Sequence, residues 1–295
     1  MSEHPYFSRP GQSSGKLSRF WNGGDYSPDI ALRQIDWKYD FEKGHAFEAV
    51  VMDTATGSGE FGKKYYVSEI DNEPPDEIAK AIKDGRPLAG LEVLTQKDER
   101  NKTYSKRHAY IDEAGGFPGL IPVCQKDYGA MRTLAKSIME LDFPEWHPLK
   151  GHKIGEYLAV CEWQTEHHWT DGGMIQKKAL ADCLYIDQGM AFPVDLKWTW
   201  AFSQFRSAMR SHHWIQALHY ERGIKESRGV DCAPMLFVVG CAAEPPLAQA
   251  RGVDRRNVSD LLAEYDRLCM AWHEWELAGS PKTGTLPEKL DKIWV

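Results

Sequence analysis

The sequence predicts a mixed α/β fold, of the α+β kind, in which a central mixed sheet is flanked by helices. Composition, short apolar runs typical of strands and longer runs with helical spacing support this prediction. The chain has 295 residues, of which 42% are hydrophobic and 27% charged, which suits one large globular domain or two small ones. It contains neither a signal-peptide pattern at its start nor a long uninterrupted apolar run. We therefore expect a cytoplasmic protein without a membrane partner.

The N-terminal half is predicted to be mainly helical. Residues 17–53 have helical patterning, with an amphipathic helix that begins at Gly44 in GHAFEAVVMD. A short strand is predicted beyond a glycine-rich turn in SGEFGKKYYVSEI. Apolar residues at helical spacing in DYGAMRTLAKSIMELDF indicate a further helix. Residues 76–150 are therefore expected to form an accessory helical layer.

The C-terminal half is predicted to hold the sheet. Strands are predicted in EYLAVCEWQ, ADCLYID and AFPVDLKW, and a helix follows from about Ser203 to Arg222. An apolar strand in PMLFVVGCAA and a last helix in VSDLLAEYDRLCMAWHEWELAG, closed by Gly279, complete the pattern. The expected organisation is a single domain, 1–295, with N-terminal helices in 1–70, the core that contains the sheet in 151–250 and a C-terminal packing helix in 255–280.

Charge and cysteine content argue against several kinds of protein. The formal net charge of -7 is unlike that of a protein that coats nucleic acid nonspecifically, although it allows one local basic site. The six cysteines have no paired spacing, so we expect reduced thiols and no iron–sulfur cluster. The adjacent histidines at 167–168 and 212–213 point to different sides of an element, so we expect no zinc site.

Two aspartates are predicted to face each other across a hairpin. Gln188-Gly189 separates two apolar strands, and a two-residue loop there pairs Asp182 with Asp195. Carboxylates paired in this way have Cβ atoms about 4.5–5.5 Å apart and repel each other unless they are neutralised. Lys197 projects from the same face as Asp195, because strand side chains alternate. A bulge at Pro193 is the alternative, and it would shift this register.

A divalent cation is the natural neutraliser of this pair. Mg²⁺, or Mn²⁺ as its substitute, prefers carboxylate oxygens, carbonyl oxygens and water, and it activates water towards a phosphodiester. Lys197 would orient that water or stabilise developing negative charge. Alone, the D-x-K sequence is more typical of a solvated surface ion pair. The opposed Asp182, the apolar strand and the helix that follows favour a metal site instead.

The order of these residues resembles a known nuclease motif. Asp182, then VDLK at 194–197 and QALHY at 216–220, resembles the D…(D/E)-x-K plus Q-A-x-x-Y pattern of the PD-(D/E)XK superfamily, specifically its RecB-type nucleases. The segments SSGKLSRFW, GHAFEAVVMD, DERNKTYSKRHAYIDEAGG, KKALAD and CAAEPP resemble, in this order, landmarks of the RecE-like (exonuclease VIII-like) phage and prophage exonucleases. The resemblance covers most of the chain and implies a restriction-endonuclease-like core.

The resemblance assigns roles within this core. Glu48, Asp182, Asp195 and the carbonyl of Leu196 would bind one or two Mg²⁺, and Lys197 would position or activate water. Gln216 and Tyr220 would shape the site and hold the substrate strand.

Two further residues are alternatives for the acidic site. The family has a histidine four residues after its motif glycine, where Gly44 is followed by Glu48, and His45 is a second candidate ligand. Glu156 stands where the family places an acidic residue, at the start of a predicted strand, and Glu162 is the alternative for this position.

Basic side chains are the candidate contacts to DNA. Lys178 keeps the lysine of a K-x-R-x-D run of the family, whose arginine is replaced by Leu180. Arg206 and Arg210 lie four residues apart, with His213 three further on, and are expected to form a basic stripe along a phosphate backbone. Arg100 matches a landmark of the family and is expected to line a DNA entry route. The alternative is an ordinary solvated face for Arg206 and Arg210, and a mobile charged loop for Arg100.

The resemblance implies a metal-dependent exonuclease that acts on linear double-stranded DNA ends. It would degrade DNA from 5′ to 3′ and leave 3′ single strands for a RecT-like annealing protein in phage-type recombination. Relatives assemble as rings, so a homo-oligomer is expected, in the cytoplasm of a bacterial host if the protein is phage-encoded. The alternatives are a structure-dependent endonuclease of the same fold and a catalytically silent DNA-binding or assembly protein. The cysteine spacing argues against an AddB-like enzyme with an iron–sulfur cluster.

Overall fold

The structure is a computed structural model, and it describes residues 11–21, 38–70, 73–89, 91, 104–171, 175–255 and 258–279. Within these residues the chain forms a mixed sheet with helices on both faces, which confirms the predicted α/β class. No helix in the described ranges is both long and apolar enough to cross a membrane.

A six-stranded mixed sheet forms the centre of the molecule. Its strands are β3 (Glu162–Asp171), β4 (Ile175–Asp187), β5 (Met190–Thr199), β6 (Asp231–Cys232), β7 (Leu236–Cys241) and β8 (Leu247–Gly252). The spatial order is β3-β4-β5-β7-β8, with β6 paired to β5. β5 runs parallel to β6 and β7, whereas the β3–β4, β4–β5 and β7–β8 pairs are antiparallel. β4, β5 and β7 confirm the strands predicted in ADCLYID, AFPVDLKW and PMLFVVGCAA.

The helices pack around this sheet, beside a smaller two-stranded one. The N-terminal half contains α1 (Ser14–Trp21), α2 (Tyr39–Thr56), α3 (Glu60–Lys64), β1 (Tyr65–Ser68), α4 (Asp76–Lys83), α5 (Tyr104–Gly115), β2 (Ile121–Cys124) and α6 (Gln125–Met139). The C-terminal half contains α7 (Ile154–Val160), α8 (Phe202–Ala208), a π-helix (Met209–His213), α9 (Trp214–Arg228) and α10 (Val258–Leu277).

The main sheet has two buried faces. On the face that we call the α2 face, Phe47 and Leu134 pack with Val194, Leu196 and Val238. On the opposite α9 face, helix α9 covers a second set of buried side chains, which includes Ala181, Ala217, Ile224, Phe237 and Val239. Because both faces are covered, β5 and β7 are buried along most of their length.

The N-terminal half differs from the sequence prediction at three points. In SGEFGKKYYVSEI, Glu60–Lys64 form the helix α3, and the predicted strand is limited to Tyr65–Ser68. The helix predicted to begin at Gly44 begins at Tyr39, so that Gly44 lies inside α2. The predicted helical layer over 76–150 also contains a strand, β2, which pairs in parallel with β1. The four residues of β2 are all buried, and a run this short has too few residues to reveal its period in the sequence.

The segment EYLAV is a helix and not the predicted strand. Ile154, Tyr157 and Leu158 are buried at helical spacing in α7. Glu156 is the third residue of this helix, and its Oε2 accepts a hydrogen bond from the Lys153 N–H at 3.3 Å. The strand begins only at Glu162. The placement of Glu156 at the start of a strand is therefore wrong.

The last helix closes the molecule as predicted. Trp272 and Trp275 of α10 are buried, and they pack with Leu17 and Phe20 of α1. Beyond α10, Gly279 adopts a left-handed backbone with φ 83°. The two helices join segments from opposite ends of the sequence on the outside of α9.

Candidate active site

The hairpin between β4 and β5 positions the acidic residues. Gln188 and Gly189 have φ of 47° and 79°, the left-handed backbone that a two-residue type I′ turn requires. The predicted register is confirmed from Asp187↔Met190 to Cys183↔Val194. Pro193 stays in register opposite Leu184, so it does not introduce the bulge considered as an alternative.

Asp182 and Asp195 come together one step beyond the last paired residues of this hairpin. Asp182 Oδ2 accepts a hydrogen bond from the Leu196 N–H at 2.9 Å. Each aspartate therefore lies beside the other, and the negative charge of Asp195 acts directly on Asp182. The structure thus brings together the two carboxyl groups that the hairpin register predicts to be neighbours.

Asp195 is held between an amide and an ammonium group. It is 1% exposed, and its Oδ1 accepts a hydrogen bond from Gln216 Nε2 at 2.7 Å. Its Oδ2 forms an ion pair with Lys197 Nζ. Oδ2 is otherwise without a hydrogen-bond donor among the described residues. Gln216 comes from α9, so the helix that follows the D-x-K sequence supplies a direct partner of its aspartate.

Glu48 of α2 is the third carboxyl group of the site. The charges of Lys197 and Asp195 both act on it. The approach of α2 depends on Gly240 in β7, where an added Cβ would lie 2.6 Å from Phe47 Cζ. Because glycine leaves this space empty, Phe47 packs directly on the sheet and the adjacent Glu48 reaches the edge of the acidic pair.

The electrostatics of the site follow from burial and charge. Burial raises the pKa of Asp182 well above its usual range, and the charges of Asp195 and Glu48 raise it further. Burial likewise raises the pKa values of Asp195 and Glu48. For Lys197, burial alone would lower the pKa, but the carboxyl groups of Asp195 and Asp182 outweigh it and the pKa is raised. The site therefore favours a charged lysine and would bind a cation readily.

The donor set suits a hard divalent cation. Glu48, Asp182 and Asp195 provide carboxylate oxygens, and the buried Oδ2 atom of Asp195 has no partner other than Lys197 Nζ among the described residues. Within the described part of the chain, no three histidine, cysteine or acidic side chains converge at metal-ligand spacing. Mg²⁺ keeps several waters and uses one or two carboxylates, so the chemistry of these residues fits it without such convergence.

Four other residues predicted for the site lie on α2, α7, α9 and β4. His45 is exposed one turn before Glu48, and its Nδ1 lies 3.7 Å from Glu42 Oε2. Tyr220 is buried on the α9 face, and Lys178 is 4% exposed in β4. Glu156 is exposed on α7, and its Oε2 lies 3.8 Å from His152 Nδ1.

The predicted basic stripe is interrupted. Arg206 is exposed on α8, and Arg210 is exposed in the π-helix, which breaks the regular helical spacing. His213 packs against Phe205 and Phe237, and burial lowers its pKa to about 2. His213 is therefore neutral and adds no positive charge to the stripe. Arg100 lies outside the described residues.

Sequence reasoning did not identify Gln164 of β3, whose Nε2 lies 3.4 Å from Glu48 Oε2. Neither its residue type nor its spacing from other polar residues marks it in the sequence. The π-helix before Gln216 was also not predicted, since apolar periodicity does not distinguish one wider helical turn. Such turns are frequent at functional sites.

Comparisons with known proteins add little to this description. No protein-family model matches the chain, and no curated protein matches it in sequence. Among solved structures, the chain is similar to a putative exonuclease from Eubacterium rectale, with 11% sequence identity and a TM-score of 0.40. The match covers 89% of this chain and 94% of that protein. The function is therefore inferred from the residues of the site.

Proposed function

We propose that this chain is a metal-dependent DNA exonuclease. The observation that carries the proposal is the buried Asp195, which binds Gln216 and Lys197 and lies beside Asp182. Such an arrangement is costly unless it serves a cation and a substrate, because a buried carboxyl group loses its hydration. The same residues carry the resemblance of the sequence to RecE-like exonucleases.

Each side chain of the site has a separate role in this proposal. Asp182, Asp195, Glu48 and the carbonyl of Leu196 would hold one or two Mg²⁺ together with water, or Mn²⁺ in its place. Once bound, the cation would lower the pKa of a water molecule and offset negative charge on the phosphodiester.

Lys197 and Gln216 act on either side of Asp195. Lys197, charged at neutral pH, would orient the attacking water and stabilise the negative charge of the transition state. Gln216 fixes the rotamer of Asp195 through its amide. The hydrolysis would leave a phosphate on one product and a hydroxyl group on the other.

The substrate is proposed to be the end of linear double-stranded DNA. By the resemblance, degradation would run from 5′ to 3′ and leave 3′ single strands for a RecT-like annealing protein. A ring of identical subunits would keep the enzyme on its substrate. These finer properties rest on the motif alone and are proposed with it.

The test is degradation of linear double-stranded DNA labelled at the 5′ or the 3′ end, with Mg²⁺ or with EDTA. We expect metal-dependent loss of the linear DNA, with release of the 5′ label first, while a closed circle of the same sequence is spared. Asp195→Asn should abolish the loss, whereas Asp187→Asn, at the exposed end of the same hairpin, should not.

The other outcomes identify the alternatives. Cutting of the closed circle would favour a structure-dependent endonuclease. DNA binding without cutting in either Mg²⁺ or Mn²⁺ would favour a DNA-binding or assembly protein and end the proposal of an autonomous nuclease.

A further inference from the structure

Gln164 adopts a costly backbone conformation beside the site. Its φ is 53°, in the left-handed region that residues other than glycine, asparagine and aspartate rarely occupy. Gln188 is the other non-glycine residue with positive φ in the described ranges, and the hairpin turn explains it. Gln164 instead lies inside a strand, where no turn requires such a conformation. Strain of this kind persists at sites where it has a function.

The strained residue lies directly opposite Asp182. β3 and β4 pair at Trp163↔Cys183 and again at Thr165↔Ala181. The register between these pairs places Gln164 against Asp182, and the pairing lapses there. The break in β3 thus coincides with the position of a proposed metal ligand in β4.

The alternation of β4 side chains between the two faces of the sheet is also interrupted at Asp182. Ala179 and Ala181 lie on the α9 face, but Cys183 lies on the α2 face and Leu184 returns to the α9 face. In a regular strand, Ala181 and Cys183 would share one face. Asp182 is the residue at which the alternation is reset. This irregularity takes Asp182 out of the regular ladder and lets its carboxyl group reach the Leu196 N–H.

The side chain of Gln164 makes a second connection. Its Nε2 donates a hydrogen bond to Glu48 Oε2 at 3.4 Å. Glu48 belongs to α2, and Asp182 belongs to the sheet. Gln164 therefore adjoins both acids, one through its side chain and the other through its backbone.

We propose that Gln164 is a positioning residue, which holds Glu48 with its amide and turns Asp182 out of the strand ladder so that both acids serve one cation. The inference rests on the proposed function, because it concerns the same metal site. A side chain that orients metal ligands contributes to affinity without contacting the metal.

The experiment uses two variants that both lack the amide and differ in the backbone strain. Gln164→Ala removes the amide and keeps the strain, while Gln164→Gly removes the amide and also relieves the strain. We expect both variants to bind Mn²⁺ about 10- to 100-fold more weakly than the wild type in calorimetry, the range for loss of a group that orients a ligand. In EDTA, the unfolding midpoint of Gln164→Gly should be no lower than that of the wild type. A purely structural role would lower the midpoint and leave Mn²⁺ affinity unchanged.

Gln188→Gly is the matched control, because it relieves the other strained residue without approaching the site. It should bind Mn²⁺ as the wild type does. Wild-type affinity in Gln164→Gly would overturn the inference, as would a wild-type protein that binds no Mn²⁺. A wild type that binds Mn²⁺ but degrades no DNA would end the exonuclease proposal alone, since the comparison of Mn²⁺ affinities would still support or overturn the role of Gln164.

Discussion

The side chain of Asp182 lies in an unfavourable place for a negative charge. Burial and the charges of Asp195 and Glu48 raise its pKa well above the usual range. An acid whose pKa is higher in the folded protein than in the unfolded chain binds its proton more readily when folded. Its destabilising effect therefore begins as pH rises above the pKa of the unfolded chain and is complete above the folded-state pKa. Keeping carboxyl groups close together in the site therefore lowers the free energy of unfolding at neutral pH.

Replacing Asp182 by asparagine should raise the stability of the protein and lower its activity. The amide can still accept from the Leu196 N–H but carries no charge, so Asp182→Asn should unfold at a higher temperature than the wild type at pH 7 in EDTA. The difference should shrink as pH falls towards about 4, the pKa of an unperturbed aspartate. DNA degradation should fall by about 10²- to 10³-fold or more, as when one electrostatic group of an active site is lost.

The exposed Asp187, in the same strand, provides the control for this variant. Asp187→Asn should change neither the unfolding temperature nor the rate. An Asp182→Asn protein that is less stable than the wild type at pH 7 in EDTA would contradict the account of charge repulsion.

His219 is neutral because it is buried, and both of its ring nitrogens have hydrogen-bond partners. Its Nε2 is 2.9 Å from the Lys178 carbonyl oxygen, which can only accept, so Nε2 carries the proton. Its Nδ1 accepts from the Tyr265 hydroxyl at 2.8 Å. Burial lowers the pKa of His219 to about 3. Because this pKa is below that of the unfolded chain, the stability that neutral His219 contributes is complete above about pH 6.5 and is lost as pH falls.

Replacing His219 by glutamine should remove this pH dependence. A glutamine amide can donate to the carbonyl and accept from the hydroxyl, but it does not titrate. The stability advantage of the wild type over His219→Gln should therefore shrink by roughly 1.4 kcal/mol per pH unit between about pH 6 and pH 4. Urea unfolding of both proteins at several pH values measures this difference in the free energy of unfolding. The contributions of the other titrating groups are the same in both proteins and cancel. The exposed His152 serves as control, and a constant difference for His219→Gln would refute the lowered pKa of His219.

At the scale of elements, the hairpin was predictable from sequence because its determinants are local. Gln188-Gly189 fixes the turn, and the period of two fixes the faces from Asp187 to Cys183. The position of Gln164 was not predictable in this way, since the irregularity depends on two strands that meet only after folding. The same is true of α7, where burial of Ile154 and Leu158 against the sheet decides between a helix and a strand.

The contact between α2 and the sheet gives a prediction at this scale. Gly240→Ala should push Phe47 away, because its Cβ would lie 2.6 Å from Phe47 Cζ and 3.3 Å from Leu134 Cδ1. We expect a loss of about 1–3 kcal/mol in the free energy of unfolding, as for overpacked cores. The displacement should also move the adjacent Glu48 and raise the Mg²⁺ concentration needed for half-maximal activity.

A helical glycine in open surroundings is the control for Gly240→Ala. A Cβ at Gly129 of α6 would meet nothing within 4 Å, so Gly129→Ala should stabilise the protein by about 0.5–1 kcal/mol and leave its activity unchanged. Normal stability and normal Mg²⁺ dependence in Gly240→Ala would show that α2 is not fixed by this contact.

At the scale of the whole molecule, the site and the closing helices are separate parts of one fold. Glu48, Asp182, Asp195 and Gln216 come from α2, β4, β5 and α9, so the acidic site exists only when the sheet and both of its faces are assembled. The packing of α1 on α10 forms another buried cluster, in which Phe20 lies 5.2 Å from Trp272 and 5.4 Å from Trp275, measured between ring centroids. This second cluster contains none of the four site residues.

Truncating Phe20 should therefore lower stability without changing the chemistry of the site. Phe20 is fully buried, so Phe20→Ala should lower the free energy of unfolding by about 3–5 kcal/mol. At a temperature where the variant remains folded, its Mg²⁺ dependence and its rate per folded molecule should match the wild type. Val160→Ala, at a 64% exposed position, should alter neither quantity. A changed Mg²⁺ dependence in Phe20→Ala would mean that α9 transmits the packing of α1 to Gln216, because α9 contributes Trp214 and Leu218 to the same cluster.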